Sequence, residues 1–155
     1  MTGALVYGRN QASAAQLLAH LHACDDDFSP SLSARVHVDR YAEKISQNAV
    51  RFEAWAASEL VGLVAMYAND HATGVAFITH VSVLSTWQGR GIASFLVAQS
   101  TRYAWASGMK CIKLSVHRGN GPALALYRKL GFTEDGCQTS GTEIRLCQNQ
   151  VTHHA

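Results

Sequence analysis

Apolar positions change period several times along the chain, and each change marks an element. From Val50 to Ala56 they alternate with polar ones, the pattern of a half-buried strand. Ala57-Ser58-Glu59 is then a turn. Leu60 to Ala68 is apolar on both faces, which predicts a central strand. After a polar turn over Asn69–Thr73, Gly74 to Val83 returns, giving three antiparallel strands in succession. Ahead of them, Ala4–Tyr7 predicts a short strand and Ser13–Ala23 a helix with Ala14, Leu17, Leu18 and Leu21 on one stripe. Asp25-Asp26-Asp27 ends that helix, because acids at a helix C-terminus oppose its dipole. Phe28-Ser29-Pro30-Ser31 is a loop. Asp39 is expected to cap a second helix from Arg40 to about Gln47, with Tyr41 and Ile45 on one face.

Beyond Val83 the period becomes helical. A helix opens at Gln88-Gly89-Arg90-Gly91-Ile92-Ala93, runs to about Ser107 and stops at Gly108. Cys111–Val116 is a strand with Ile112, Leu114 and Val116 on one face. It should lie parallel to Gly74–Val83, because a helix connects the two. Asn120-Gly121-Pro122 starts a further helix, with Pro122 suited to its first turn, and Gly131 ends it. Phe132–Cys137 and Thr142–Cys147 form a closing hairpin around Thr139-Ser140-Gly141. The resulting order is β-α-α-β-β-β-α-β-α-β-β: an α/β (α+β) mixed sheet with one parallel pair and helices on both faces. With 155 residues and no repeat or linker, one domain over residues 1–150 with a tail at 151–155 is expected.

Composition narrows the function classes. Hydrophobic content of 48% and charged content of 15% are those of a soluble globular chain. A net charge of +2 without a Lys/Arg cluster gives no case for nucleic acid. The start of the chain lacks a signal pattern and no apolar run reaches membrane-spanning length, so a cytoplasmic protein without a membrane partner is expected. Cys24, Cys111, Cys137 and Cys147 show no C-x-x-C spacing and the histidines are scattered, so no metal is assigned. Cys137 and Cys147 fall at opposite ends of the closing hairpin and should not bridge. The hairpin's free edge leaves room for a homodimer.

The glycine turn carries the first chemistry. A strand, a tight turn and a helix start in succession present backbone N–H groups without partners, and the helix dipole adds positive potential. Gly89 and Gly91 lack a Cβ, so a phosphate can approach the backbone closely. No Gly-Lys-Ser/Thr closes a Walker loop, and Ser94 stands where a dinucleotide fingerprint needs glycine. A structural turn is the plain alternative.

Two motifs and the element order together resemble the GNAT superfamily of acyl-CoA-dependent N-acetyltransferases. Gln88, Gly91 and Ala93 fill its phosphate-loop pattern [Q/R]-x-x-G-x-[G/A]. Asn120, Ala123, Leu126, Tyr127, Gly131 and Phe132 fill N-x-x-A-x-x-L-Y-x-x-x-G-F. The resemblance implies acetyl-CoA as co-substrate, wedged where the parallel strands splay. Val81, Ser82 and Val83 would lie along its pantetheine arm, with the backbone of Val81 and Val83 pairing with it. The N–H groups of Gln88, Gly89, Arg90, Gly91, Ile92, Ala93 and Ser94 would hold the pyrophosphate. Asn120 would bond the arm or merely cap its helix, with Ala123 and Tyr127 beside the coenzyme. Tyr127 would protonate the leaving thiolate, and a backbone N–H near Val83 would meet the oxyanion.

Where many relatives carry a glutamate before the phosphate loop, this chain has Thr79 and His80. His80 is the first candidate base, since histidine titrates near neutrality; Glu53 is the second, and His37 a third. By family analogy the segment from Asp25 to Tyr41 shapes the acceptor pocket, with Phe28 and Tyr41 as walls, Arg35 for an anionic group and the Asp25–Asp27 run for a cationic amine. The implied activity is N-acetyl transfer to the amine of a small molecule. A protein or peptide N-acetyltransferase and a non-catalytic acyl-CoA-binding regulatory module are the alternatives.

Overall fold

The computed structural model describes residues 4–28, 31–135 and 143–149. Its strands are β1 (Leu5–Arg9), β2 (Val50–Ala56), β3 (Glu59–Tyr67), β4 (Val75–Val83), β5 (Cys111–His117), β6 (Thr133–Glu134) and β7 (Glu143–Asn149). They form one seven-stranded sheet in the order β1-β2-β3-β4-β5-β7-β6. Neighbours are antiparallel except β4 and β5, which run parallel as the helical crossover demands. The helices are α1 (Ala14–Cys24), α2 (Leu32–Arg35), α3 (Val38–Asn48), α4 (Ile92–Ala106) and α5 (Gly121–Lys129).

The predicted elements are present, with local corrections. α3 begins at Val38, and its cap is His37, whose Nδ1 accepts from Arg40 N at 3.4 Å; Asp39 instead lies in the first turn. An imidazole lone pair serves there as well as a carboxylate, and an acid in the first turn suits the dipole. The Asp25 run continues α1 as a 3-10 turn. The Asp25 carboxylate accepts from Ser33 N and Ser33 Oγ, both at 2.7 Å, and so ties down α2, a turn too short to show a period. Gly131, Phe132 and β6 follow α5 as expected, with β6 at the outer edge. Cys137, the turn Thr139-Ser140-Gly141 and the tail at 151–155 lie outside the described residues.

Each face of the sheet carries its own core. Phe52, Val64, Met66, Ile78, Ile112 and Leu114 pack under α4 and α5. Leu63 and Ala65 meet Leu17, Leu21 and Ile45 of α1 and α3. On this second face Arg51 and Glu53 form a buried clamp. Arg51 Nη1 donates to Ser46 O and Nη2 to Ala12 O, both at 3.0 Å, so it holds the end of α3 and the approach to α1.

Two irregularities shape the middle of the sheet. Ala65 faces His80 while Met66 faces Ile78, so Thr79 is an extra residue, a β-bulge on β4. The β4–β5 pairing runs from Val75↔Cys111 to Ile78↔Leu114 and stops at that bulge. Beyond it the two strands part. Opposite the opening, Gly62 of β3 lets α4 press close: a Cβ there would fall 2.8 Å from Ile92 Cγ2 and 3.3 Å from the Ala54 side chain.

Candidate functional site

The parting strands lead to the glycine turn. Gly89 and Gly91 both sit at φ +79°, a left-handed backbone that favours glycine, and a Cβ on either would meet nothing within 4 Å. Gly91 is the N-cap of α4 without any side-chain cap, and the first turn carries no acid. Phe95 N bonds back to Gly91 O at 3.0 Å, which leaves the N–H groups of Ile92, Ala93 and Ser94 without helical partners. Gln88 Nε2 donates to Val83 O at 3.0 Å and so fastens the turn to the end of β4. Arg90 stacks over Trp87, 4.7 Å from the ring centre. A glycine turn with open space beside it, leading into free helix amides and a first turn without acids, fits a diphosphate.

Across the opening, α5 begins at Asn120, whose Oδ1 accepts from Ala123 N at 3.2 Å. Its side chain is thus the helix cap. About two turns on, Tyr127 is buried with its ring edge-on to Phe132, centroids 6.0 Å apart. Burial pushes its phenol well above the usual tyrosine value, so it keeps its proton. The hydroxyl makes no hydrogen bond among the described residues. It is not sealed off either, since no buried side-chain polar atom there lacks a partner.

On the opposite face of β4 the sequence candidates from three other segments converge on His80. Its ring lies 5.4 Å from Phe28 and 5.9 Å from Tyr41, and Arg35 sits over Phe28 at 5.8 Å. The bulge explains part of this arrangement: Tyr41 OH donates to the Thr79 carbonyl at 3.1 Å. Burial, helped by His20 and Arg35, pushes His80 down to about 3, so the ring is neutral at pH 7. Its Nε2 lies 2.8 Å from Ser82 Oγ.

His20, which sequence reasoning passed over, lies 2.7 Å from the same hydroxyl through Nε2 and 2.8 Å from Leu60 O through Nδ1. Its signal was its position: a histidine within the stripe of Leu17, Leu21 and Cys24, all buried. Glu53 is not brought to this cluster. It is fully buried, with its oxygens accepting from Gln11 N at 2.9 Å, Ala12 N at 3.0 Å, Trp55 Nε1 at 3.3 Å and Arg51 Nε at 3.4 Å. The register puts Leu63 between it and Ser82. Its structural task is to anchor the start of α1. Asp25 is likewise engaged, with Ser33, and His37 caps α3. Among the described residues no group of His, Cys, Asp and Glu is arranged to hold a metal, and no helix is long and apolar enough to cross a membrane.

The neutral histidines carry a stability consequence. In the unfolded chain each binds a proton below about pH 6.5, whereas His80 stays neutral in the fold down to about 3 and His20 is also depressed. The unfolded state therefore binds more protons across that interval, and stability falls as pH is lowered through it. Urea titrations should show a loss of about 2 kcal/mol from His80 between pH 7 and 5. That interval lies above the range where Asp25 and Asp70, both depressed below 3.8, titrate. His80→Gln, neutral at every pH, should remove about one proton from the slope; an unchanged slope would contradict the burial of a neutral ring.

A sheet that parts at its one parallel pair, beside a helix start with free amides, defines a class of α/β domain built around a cleft between splayed strands. The chain belongs to the acetyltransferase (GNAT) family, whose model matches residues 16–132. It is 35% identical over 79 residues to the mycothiol acetyltransferase of Corynebacterium glutamicum, covering 51% of this chain and 26% of that one. It is also 35% identical over 78 residues to the streptothricin acetyltransferase of Escherichia coli, covering 50% of this chain and 44% of that one. The chain thus spans less than half the length of these curated relatives. The crystal structure of PaiA N-acetyltransferase from Thermoplasma acidophilum in complex with coenzyme A shares the fold at a TM-score of 0.70 and 14% identity, covering 93% of this chain and 99% of that one.

Proposed function

We propose that the protein transfers the acetyl group of acetyl-CoA to the amine of a small molecule, by direct attack in a ternary complex. The observation that carries this reading is the parting of β4 and β5 at Thr79, between the glycine turn on one side and Tyr127 on the other. Acetyl-CoA supplies the thioester as acyl donor. The edges of Val81 and Val83 on the parted strand, with Ser82 between them, suit an extended ligand that adds to a sheet edge. The amides from Gln88 to Ser94 meet the diphosphate. Asn120 and Ala123 fix the start of α5 and so aim Tyr127. The Val83 N–H stabilises the carbonyl oxygen as charge builds on it.

On the other face His80 takes the amine's proton, and Phe28, Tyr41 and Arg35 shape the acceptor's seat. The attacking nitrogen becomes strongly acidic as it bonds to the carbonyl, which is when a base held this low can accept from it. Two cysteine thiols are unsuited to an acyl-enzyme: burial pushes Cys24 up to about 11 and also raises Cys111, so little thiolate forms at neutral pH. The enclosure of a buried His80 by two rings favours a small amine over a protein chain. So does the similarity to a streptothricin acetyltransferase, whereas the equally similar N-alpha-acetyltransferase MAK3 of Arabidopsis thaliana keeps peptides among the acceptors to be tested.

The test is thiol release from acetyl-CoA against amino sugars, amino acids, polyamines and peptides, with a no-amine control and the acetylated product identified by mass. Amine-dependent release with one small-molecule class is expected. Release with peptides alone moves the acceptor to the peptide class, and acetyl-CoA binding without release on any amine favours a binding module. In the active protein, Gly91→Ala should raise KM for acetyl-CoA about tenfold with kcat nearly kept. A left-handed alanine is strained by about 1–2 kcal/mol, and relief of that strain moves the loop amides. An unchanged KM would remove the turn from the binding site.

A further inference from the structure

We infer that His20 and Ser82 are positioning residues for His80: hydrogen bonds handed on from the Leu60 carbonyl leave His80 Nδ1 bare toward Phe28 and Tyr41. The inference rests on the proposed role of His80 as base and adds the groups that make it one. An imidazole serves as a base at Nδ1 only if its hydrogen sits on Nε2, and in a neutral ring the neighbours choose the tautomer.

The chain of choices starts at an atom that has none. Leu60 O only accepts, so His20 Nδ1, 2.8 Å away, carries the hydrogen. A neutral His20 then offers a lone pair at Nε2. Ser82 Oγ, at 2.7 Å, donates its hydrogen there. Having spent that hydrogen, the hydroxyl meets His80 Nε2 at 2.8 Å as an acceptor, so His80 is protonated on Nε2. Tyr41 spends its own hydrogen on Thr79 O at 3.1 Å, and its oxygen stands 3.5 Å from His80 Nδ1, too far to occupy it. The lone pair stays available.

Every group facing the pair is consistent with neutral rings. α1 contributes His20 and Cys24, α2 contributes Arg35, and α3 contributes Tyr41, whose phenol burial pushes up. Among the described residues no carboxylate touches either imidazole, and the Leu60 carbonyl, which favours a proton on His20, is outweighed by burial. Burial depresses both histidines. Cys24, whose thiol also meets the Ser82 hydroxyl, opens rival arrangements. Cys24 Sγ lies 3.7 Å from His20 Nε2. If the thiol were the donor there, Ser82 could donate to His80 instead and place the hydrogen on Nδ1. The distances favour Ser82 as donor to His20, since a thiol donates weakly.

The test is imidazole ¹⁵N NMR of the ¹⁵N-histidine-labelled protein at neutral pH, which separates a protonated ring nitrogen from a bare one. His20 with Nδ1 protonated and His80 with Nε2 protonated is expected. His80 protonated on Nδ1 overturns the inference, whatever the protein's activity. Ser82→Ala should let His80 populate both tautomers and lower kcat about tenfold to a hundredfold, the scale of losing an orienting outer partner. KM for acetyl-CoA should stay within about twofold, and Ser82→Thr, which keeps the hydroxyl, should restore the tautomer and most of kcat. An unchanged tautomer in Ser82→Ala would also overturn it. Absence of amine-dependent turnover in the unmodified protein would count against the proposed function alone, since the NMR result does not depend on turnover.

Discussion

Tyr127→Phe should lower kcat about a hundredfold to a thousandfold, within the range by which a positioned acid accelerates proton transfer. KM for acetyl-CoA should change little. The expectation follows from where the hydroxyl sits. The ring is held by α5 and by Phe132, so its position does not depend on the oxygen. The oxygen itself has no partner among the described residues, and burial holds its proton on. Removing it leaves the packing and should leave thermal stability within about 0.5 kcal/mol. The pH dependence sharpens the test. A thiol has a pKa near 8.5, well below that of this phenol, so complete transfer to a departing thiolate is uphill. Tyr127 therefore stabilises the leaving sulfur chiefly through a hydrogen bond as charge develops. Since its proton stays on through the assay range, no loss of kcat below about pH 10 should trace to its ionisation. A variant with undiminished kcat would remove Tyr127 from the reaction and leave it as a core aromatic.

The glycine turn and the succession of strands were legible because each is written locally, while Tyr127 was reached only through the family resemblance. Alternation predicts β2 as a half-buried strand, whereas Arg51 to Trp55 are all buried because Arg51 and Glu53 pair under α1 and α3; glycines between a strand and a helix mark a turn whatever surrounds it. Convergence in space was only partly legible. Phe28, Arg35, Tyr41 and His80 were each plausible, but their meeting depends on the bulge at Thr79, an irregularity that no period announces. The Thr79 carbonyl, pushed out of register, is what Tyr41 bonds.

The partners of His20 and Glu53 were illegible for opposite reasons. A histidine on an apolar helix stripe reads as core, and its partners, Leu60 and Ser82, lie 40 and 62 positions away. An acid on an apolar strand reads as chemistry, and nothing near Glu53 in sequence tells of the Gln11 and Ala12 amides that claim it, 42 and 41 positions back. Both are buried polar groups, whose meaning is set by partners brought from elsewhere in the chain.

Glu53 is therefore where the largest loss of stability is expected. Glu53→Ala removes the acceptor of two backbone N–H groups and the Trp55 indole N–H, and it strips the buried Arg51 guanidinium of its counter-charge. Breaking a buried pair from one side costs about 3–5 kcal/mol, a large share of the roughly 5–15 kcal/mol that holds a domain together. Thermal unfolding should shift down by about 10 °C or more. The ion pair and the amides can be told apart. If the Coulombic pairing were the main contribution, replacing both residues, Arg51→Leu with Glu53→Leu, would recover most of the loss, because a buried pair exchanged for apolar groups is often neutral. The structure predicts otherwise. The Gln11 and Ala12 amides would still be buried without an acceptor, and the carbonyls of Ser46 and Ala12 would lose their donor. The double variant should thus remain several kcal/mol below the native protein. Full recovery would show that Glu53 serves Arg51 alone. Persistent loss would show that the carboxylate anchors α1, the helix that brings His20 to Ser82.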